Sequence, residues 1–447
     1  MTILVSLLIV FTMSYTTAAF VHSRRRRTAP LPTPDGLFFV FLVPCLNEAV
    51  VIGRTIERLL ALPEDNFAVL VIDDGSDDGT ARIAASYDPD RVWVLRRSLP
   101  DARQGKGQAL NDAYRLLRDS ALLDGHRPED VVVAVFDADG RIAPNSLYEV
   151  GPFFRDPKAG AVQIGVRMHN ADVSLLTRMQ DLEFVAFTEI FQRARQRVGS
   201  VGLGGNGQFV RLTGLMALGD APWTDCLTED LDLGIRLLLA GWTNNFCPTA
   251  HVSQQAVTSV RRLVRQRSRW FQGHLQCWKL IPSVLSQSRL RREQTNDLVY
   301  HLASPSLVLL LSPGVVAFCL AFAGLMVTQP MATMRAFGAN HGLPLALAYV
   351  LAFGMAPFYG FVYWLRDRKT PLWKAIGYAH LFSLYGYLWF PAGWMAVWRI
   401  LRRKRGWAKT VRTAEDPPTV GTPAPAPATA LAADASEPPL VGTAPSH

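Results

Sequence analysis

Apolar residues are unevenly spread along the chain. Residues 2–21 are almost free of charge and long enough to cross a bilayer, which takes about 20 residues. Arg24, Arg25, Arg26 and Arg27 follow this run rather than precede it. The positive-inside rule therefore places the start outside and residue 24 onward in the cytoplasm. A retained anchor over 1–22 is expected. A cleaved signal is the alternative, because residues 16–19 are small. Residues 23–36, with three prolines, read as a basic linker.

From residue 37 the pattern changes to short apolar runs alternating with amphipathic stretches. Runs at 37–44, 67–72, 92–95 and 131–136 read as buried strands. Residues 51–62 carry helical spacing, and further helices are expected after Thr80 and from Gln104 onward. Strands alternating with helices predict an α/β domain with a mainly parallel sheet covered by helices. Residues 161–167 read as an edge or neighbouring strand. Residues 175–198 read as one long helix with core on one face and Gln180, Asp181 and Glu183 on another. Leu231, Ile235, Leu238 and Leu239 place a further helix face against a core.

The last part is apolar again. Residues 279–292 mix apolar and basic positions and suit a membrane interface. Stretches at 298–328, 343–365 and 373–400 are candidate spans, the first interrupted by Pro305 and Pro313. Three crossings leave the carboxyl end outside, whereas Arg402, Arg403, Lys404 and Arg405 favour inside. A hairpin at Pro313-Gly314 would supply a fourth crossing. The expected organisation is an anchor (1–22), a linker (23–36), a cytoplasmic domain (37–278), an interfacial helix with membrane helices (279–401), and a basic, then disordered, Pro/Ala-rich tail (402–447). This places the chain in the plasma (inner) membrane, multi-pass, with the domain on the cytoplasmic side.

Composition sharpens that picture. The 447 residues are 49% hydrophobic and 19% charged, with a net charge of +9. Mean hydropathy is +0.13. The basic residues sit mostly beside apolar spans, which favours membrane lipids over nucleic acid as their partner. Cys45, Cys226, Cys247, Cys277 and Cys319 are scattered, without zinc-ligand spacing, and read as buried or lipid-facing thiols.

Candidate chemistry lies where strands end, and ligands of such sheets bind beyond the carboxyl ends of strands. Asp73-Asp74-Gly75-Ser76 follows one strand and Asp137-Ala138-Asp139 another. Each alone is commonly a polar turn. An Asp-Xaa-Asp at a strand end also suits Mg2+ or Mn2+, which bridge one or two carboxylates to substrate phosphates. Lys106, in a glycine-flanked helix start, could meet a phosphate. Residues 202–209 are glycine-dense, either a tight turn or a floor beneath a sugar. Thr228-Glu229-Asp230 opens a helix, and Asp232 adds a third carboxylate nearby. Like-charge repulsion from Glu229 and Asp232 would raise the pKa of Asp230. Gln266-Arg267-Ser268-Arg269-Trp270 joins cations to an aromatic plane that can meet a sugar ring.

Taken in order, Asn47-Glu48, Asp73-Asp74-Gly75-Ser76, Asp137-Ala138-Asp139, Thr228-Glu229-Asp230 and Gln266 to Trp270 resemble the family 2 glycosyltransferases. The resemblance is to their membrane-embedded branch of cellulose, hyaluronan, chitin and poly-N-acetylglucosamine synthases. It implies a GT-A (Rossmann-like nucleotide-diphospho-sugar transferase) domain with transmembrane α-helices. It also implies inverting transfer of a hexose, glucose or N-acetylglucosamine in type, from a UDP-sugar.

By resemblance, Asp73 is the uridine-binding aspartate, with Asn47, Glu48, Asp74, Lys106 and Asp137 around the nucleotide-sugar. Asp137 and Asp139 are the metal pair, with Asp139 as direct ligand. Asp230 is the base, beside Glu229. Thr228, Gln266, Arg267, Arg269 and Trp270 hold the pyrophosphate and acceptor. The loop Gly205-Asn206-Gly207-Gln208-Phe209 departs from the cysteine-containing acceptor loop of cellulose synthases, and a single span precedes the domain. The acceptor is therefore read as a growing β-linked polysaccharide or, alternatively, a lipid such as diacylglycerol that receives one sugar. An accessory subunit is compatible with either reading.

Overall fold

The computed structural model describes residues 13–18, 21, 33 and 36–403. Most of the expected anchor, nearly all of the linker and the tail beyond 403 lie outside the described residues.

The first four strands follow the apolar runs: β1 (Phe38–Cys45), β2 (Phe67–Asp73), β3 (Val92–Arg96) and β4 (Val131–Val135). Strand β1 is central, parallel to β2 on one side and to β4 on the other. It is covered on both faces, which is why its sequence is an unbroken apolar run rather than an alternation. Successive side chains still alternate. Phe39, Phe41 and Val43 join the core beneath α1 (Ile52–Leu60) and α2 (Thr80–Ala84). Val40 and Leu42 join the opposite core with Leu110 and Tyr114 of α3 (Lys106–Asp119).

Beyond β4 the sheet departs from a mainly parallel one. It has eight strands in the order β3-β2-β1-β4-β7-β6-β8-β5. Strand β7 (Gln208–Arg211) runs antiparallel to both β4 and β6 (Ala159–Met168). Strand β6 is thus interior rather than at an edge, and β8 (Thr243–Gln254) lies parallel on its other side. Short β5 (Arg141–Ile142) closes the edge against β8. The pattern did not announce β8, because it carries Asn244, Asn245 and Pro248 among its apolar residues. Tertiary bonds make this tolerable: buried Asn244 donates from Nδ2 to the carbonyls of Val201 (3.1 Å) and Gly234 (2.8 Å).

The expected helix over 175–198 forms as α4 (Leu175–Ala186), a π-turn (Phe187–Gln192) and a final helical segment, Arg193–Val198. Its polar residues are not on a solvent face. Asp181, 0% exposed, accepts both guanidinium arms of Arg167 at 2.9 Å, and Tyr363 Oη donates to it at 2.9 Å. Gln180 exchanges two bonds with the Val257 backbone. Helix α4 is therefore wedged between the sheet and the C-terminal helices, and its polar side is satisfied there.

Helix α5 (Glu229–Leu239) is buried on two sides, with Leu233 and Leu237 toward the sheet and Leu231, Ile235 and Leu238 toward α7. Helix α6 (Val260–Gln276) leads toward α7 (Arg292–Thr328), α8 (Pro330–Phe353), α9 (Ala356–Arg366), α10 (Leu372–Tyr385) and α11 (Trp389–Leu401). Helix α7 runs unbroken through Pro305 and Pro313, so no hairpin forms at Pro313-Gly314. Its Asp297 accepts from Tyr15 Oη at 2.5 Å, tying residues 13–18 to it. Segments Arg292–Thr328 and His341–Arg366 are long and apolar enough to cross a membrane.

Candidate active site

A cavity of about 2360 Å³ lies beyond the carboxyl ends of β1 and β4. Its chemistry begins with Lys106, the first residue of α3. A cation at a helix N-terminus opposes the helix dipole. Here carboxylates compensate: Nζ donates to Asp137 Oδ1 at 2.7 Å and lies 4.0 Å from Glu229 Oε1. It also donates to the Gly205 carbonyl at 2.7 Å. Burial would lower the Lys106 pKa, but Asp137 and Glu229 outweigh it and hold the ammonium above its ordinary value.

Glu229 and Asp230 form the first turn of α5. Burial, then the neighbouring Asp230, raises Glu229 from 4.5 to about 7, against the pull of Lys106. Burial also raises Asp230. The expected contribution of Asp232 is absent: its carboxylate, 0% exposed, turns away to Arg236 (2.6 Å) and Lys279 (3.0 Å). Desolvation, rather than a three-carboxylate cluster, therefore leads the rise of both groups. A Cβ on Gly205 would stand 3.4 Å from both Asp230 Oδ2 and Lys106 Nζ, so the loop lies directly against both groups.

The residues expected from the sequence divide into two groups. Glu48, Asp74, Lys106, Asp137, Thr228, Glu229, Asp230, Gln266, Arg269 and Trp270 line the cavity. Asp73, Asp139 and Arg267 are buried behind its wall and Asn47 is exposed outside it, each for a visible reason. Asn47 Oδ1 accepts from the Asp77 backbone at 3.0 Å and its own N–H donates to Ser76 Oγ at 2.9 Å, knitting the turns after β1 and β2. Asp73, 0% exposed, accepts from Ser76 N–H at 3.2 Å. Asp139, 3% exposed, accepts from Gln255 N–H at 3.0 Å, so Asp137 is the carboxylate that faces the cavity. Arg267, 2% exposed, donates to Glu183 Oε2 at 2.6 Å and lies 3.9 Å over the Trp270 ring. One face of Trp270 is thus taken by a guanidinium, and Phe184 meets the ring edge-on at 6.0 Å.

Several residues on or beside the cavity were not among the expected site residues. Glu183 accepts from Arg267, from Tyr385 Oη (2.8 Å) and from Trp389 Nε1 (3.2 Å), joining α6 to α10 and α11. Asn206 accepts from Asp137 N–H at 3.3 Å and donates to Gln254 at 3.0 Å. Its place inside a glycine-dense loop was the available signal. Gly273 lets α6 approach α5: a Cβ there would lie 2.5 Å from Thr228 N. His301 and Pro305 of α7 line the far end of the cavity, together with Phe184, Phe187 and Trp389. The cavity therefore runs from carboxylates to an apolar helix.

Cavity-wall carboxylates whose proton affinity burial raises can accept a proton from a hydroxyl. Lys106, Arg269 and backbone N–H groups can face an anion. The donor set at Asp137 and Asp139 is all oxygen, which fits Mg2+ or Mn2+; such ions need one or two carboxylates when phosphates complete their shell.

The chain is similar to known sugar-transferring proteins. The chain is 33% identical over 284 residues to a β-monoglucosyldiacylglycerol synthase of Trichormus variabilis, covering 62% of this chain and 56% of that protein. It is 28% identical over 235 residues to the poly-β-1,6-N-acetyl-D-glucosamine synthase of Staphylococcus aureus, covering 52% and 53% of the two chains. The chain thus spans little more than half the length of these curated relatives. Among solved structures, a mannosyltransferase from Pyrobaculum calidifontis in complex with GDP-Man and Mn2+ superposes with a TM-score of 0.57. It is 17% identical and covers 86% of this chain and 98% of its own, which identifies the fold as GT-A-like. The family described as glycosyltransferase like family 2 matches residues 34–273. With that match spanning the sheet and all five motifs, the chain belongs to the family 2 glycosyltransferases.

Proposed function

We propose that this protein transfers a hexose, with inversion, from a UDP-sugar to a hydroxyl on a lipid acceptor at a membrane surface. The observation that carries this reading is the continuity of the cavity from Asp137, Lys106 and Asp230 to His301 and Pro305 of apolar α7. A lipid held by its chains beside α7 can present a polar head to the carboxylates. The β-monoglucosyldiacylglycerol synthases among its relatives support the same acceptor class. Exposed Leu310, Phe318, Leu320 and Val327 on α7 support immersion in lipid. Extension of a β-linked polysaccharide is the second reading, favoured by the relative that makes poly-N-acetylglucosamine.

In this reading Asp230 takes the proton of the attacking hydroxyl, with Glu229 beside it in the first turn of α5. Lys106 and Arg269 hold the diphosphate. Asp137, backed by Asp139, would hold Mg2+ or Mn2+, which supplies charge for the leaving nucleotide. The exposed edge of Trp270 meets the sugar, its other side being fixed by Arg267. Residues 37–278 carry this chemistry, and the helices of 279–401 present the acceptor from the plasma membrane.

The test is protein in lipid nanodiscs containing diacylglycerol, given radiolabelled UDP-glucose or UDP-N-acetylglucosamine with either metal. Label in the lipid extract, lost in Asp230→Asn, is expected. Label confined to high-mass polymer would replace the lipid reading with the polysaccharide one.

A further inference from the structure

Cys226 and Cys277 lie 51 positions apart in sequence, yet their Sγ atoms are 3.6 Å apart in the fold, and both are buried. Cys226 sits just before Thr228, and Cys277 directly follows α6, which carries Gln266 to Trp270. The carboxylate of Asp232 completes a trio whose ligand atoms all lie within 4.8 Å of one another. Thr228 Oγ1 stands 3.5 Å from Cys226 Sγ and 3.7 Å from Cys277 Sγ.

The spacing is informative. Two thiolates bound tetrahedrally to zinc at about 2.3 Å stand roughly 3.8 Å from each other. A disulfide would bring them to about 2.0 Å. The sulfurs are therefore close to the separation that a shared metal imposes. The third corner already attracts a cation: the Lys279 ammonium lies 3.0 Å from Asp232 Oδ2, on a side chain 53% exposed that can withdraw into water. Arg236 meanwhile fixes Oδ1 at 2.6 Å and so fixes the direction of the carboxylate. Cys226 and Lys279 also line the cavity, which gives the trio a route to solvent and a source of water for a fourth position.

We propose that Cys226, Cys277 and Asp232 form a binding site for a thiophilic divalent cation of the zinc class. The site is separate from the all-oxygen pair Asp137 and Asp139, and its donors prefer a softer metal. It bridges the segment that opens α5 to the end of α6, so a bound ion clamps the Thr228-Glu229-Asp230 turn to the helix bearing Trp270. The inference stands independently of the sugar donor and acceptor proposed above.

The test uses full-length protein in detergent with Cys319→Ser, which removes the one exposed cysteine among the described residues. Zinc is titrated against a chromophoric chelator in excess Mg2+, and cobalt is titrated alone. One equivalent of zinc and a near-ultraviolet thiolate-to-cobalt band are expected. Cys226→Ser and Cys277→Ser should each weaken zinc binding by more than the roughly 10–100-fold typical of losing an outer-shell partner. Should either variant fail to fold, alkylation of the parent decides: zinc should protect Cys226 and Cys277 selectively. No zinc binding, binding unchanged in folded serine variants, or equal alkylation with and without zinc would overturn the site. So would isolation of a 226–277 disulfide that, once reduced, takes no zinc.

Discussion

Replacing Gly273 by alanine separates stability from function in one step. In an exposed helix the change is favourable by about 0.5–1 kcal/mol, because glycine loses more backbone freedom on folding. At this position the new Cβ would lie 2.5 Å from Thr228 N and 2.7 Å from Thr228 Oγ1. Ordinary contact starts near 3.4 Å, so α6 and the start of α5 must part by roughly 0.9 Å. Thr228 is backbone at that point and cannot rotate away. Overpacking of this kind costs about 1–3 kcal/mol, which the helix preference partly offsets. A net loss of roughly 0–2 kcal/mol leaves the protein folded. The shift falls, however, on the turn that holds Glu229 and Asp230, and a displacement of about 1 Å at a reacting group can cost on the order of 10²-fold in rate. The expected result for Gly273→Ala is a midpoint of thermal unfolding within several degrees of wild type and sugar transfer down by about 10–100-fold. Single-turnover transfer from the labelled UDP-sugar, paired with a thermal melt in the same detergent, measures both. Wild-type turnover would refute the argument that close packing of α6 on Thr228 positions the carboxylates. Gross unfolding would refute the estimate of its cost.

Other consequences follow from the same contacts. Because Glu229 titrates at about 7 in the fold, against an ordinary 4.5, the folded protein holds a proton there that the unfolded chain has lost. Its contribution to stability is therefore lost as pH rises from about 4.5 through 7, and melts of Glu229→Gln against wild type should lack that slope. The acid limb of the transfer rate should move to lower pH in Glu229→Gln, since one member of the coupled pair is gone. Lys106→Met should move it the other way, toward alkaline pH, because Asp137, Glu229 and Asp230 lose their shared cation. An unmoved limb in both variants would separate the rate from these groups. Glu183→Ala should destabilise by about 3–5 kcal/mol, since it strands the buried Arg267 charge. Denaturant titration checks that value, and a loss under 1 kcal/mol would mean that Trp270 and solvent suffice for Arg267.

How far the site was legible depended on where each residue's partner lay. Asp137, Lys106 and Asp230 could be named because they stand at strand ends and helix starts, positions that local periodicity marks. Asp73 and Asp139 carry the same local signature, yet the turn at Ser76 and the Gln255 backbone draw them behind the wall. Arg267 and Arg269 share one motif, and helical geometry points them apart: Arg267 inward to Glu183, Arg269 to the cavity. The roles of Glu183, Gly273 and His301 at the cavity were not legible, because the groups that give them meaning are contributed by other helices.

By itself the sequence determined the central strands, the placement of motifs at their ends, the apolar character of the C-terminal helices and the family. The first three follow from apolar periodicity and from residue types at local spacing, and the family from the resemblance of the ordered motif set. Tertiary structure alone decided the mixed sheet, the polar strand β8, the continuity of α7, and which member of each motif meets the cavity. It also decided the raised proton affinity of Glu229 and Asp230 and the meeting of Cys226 with Cys277. All of these depend on burial and on distances between residues far apart in the chain, and pattern along the chain carries no record of either.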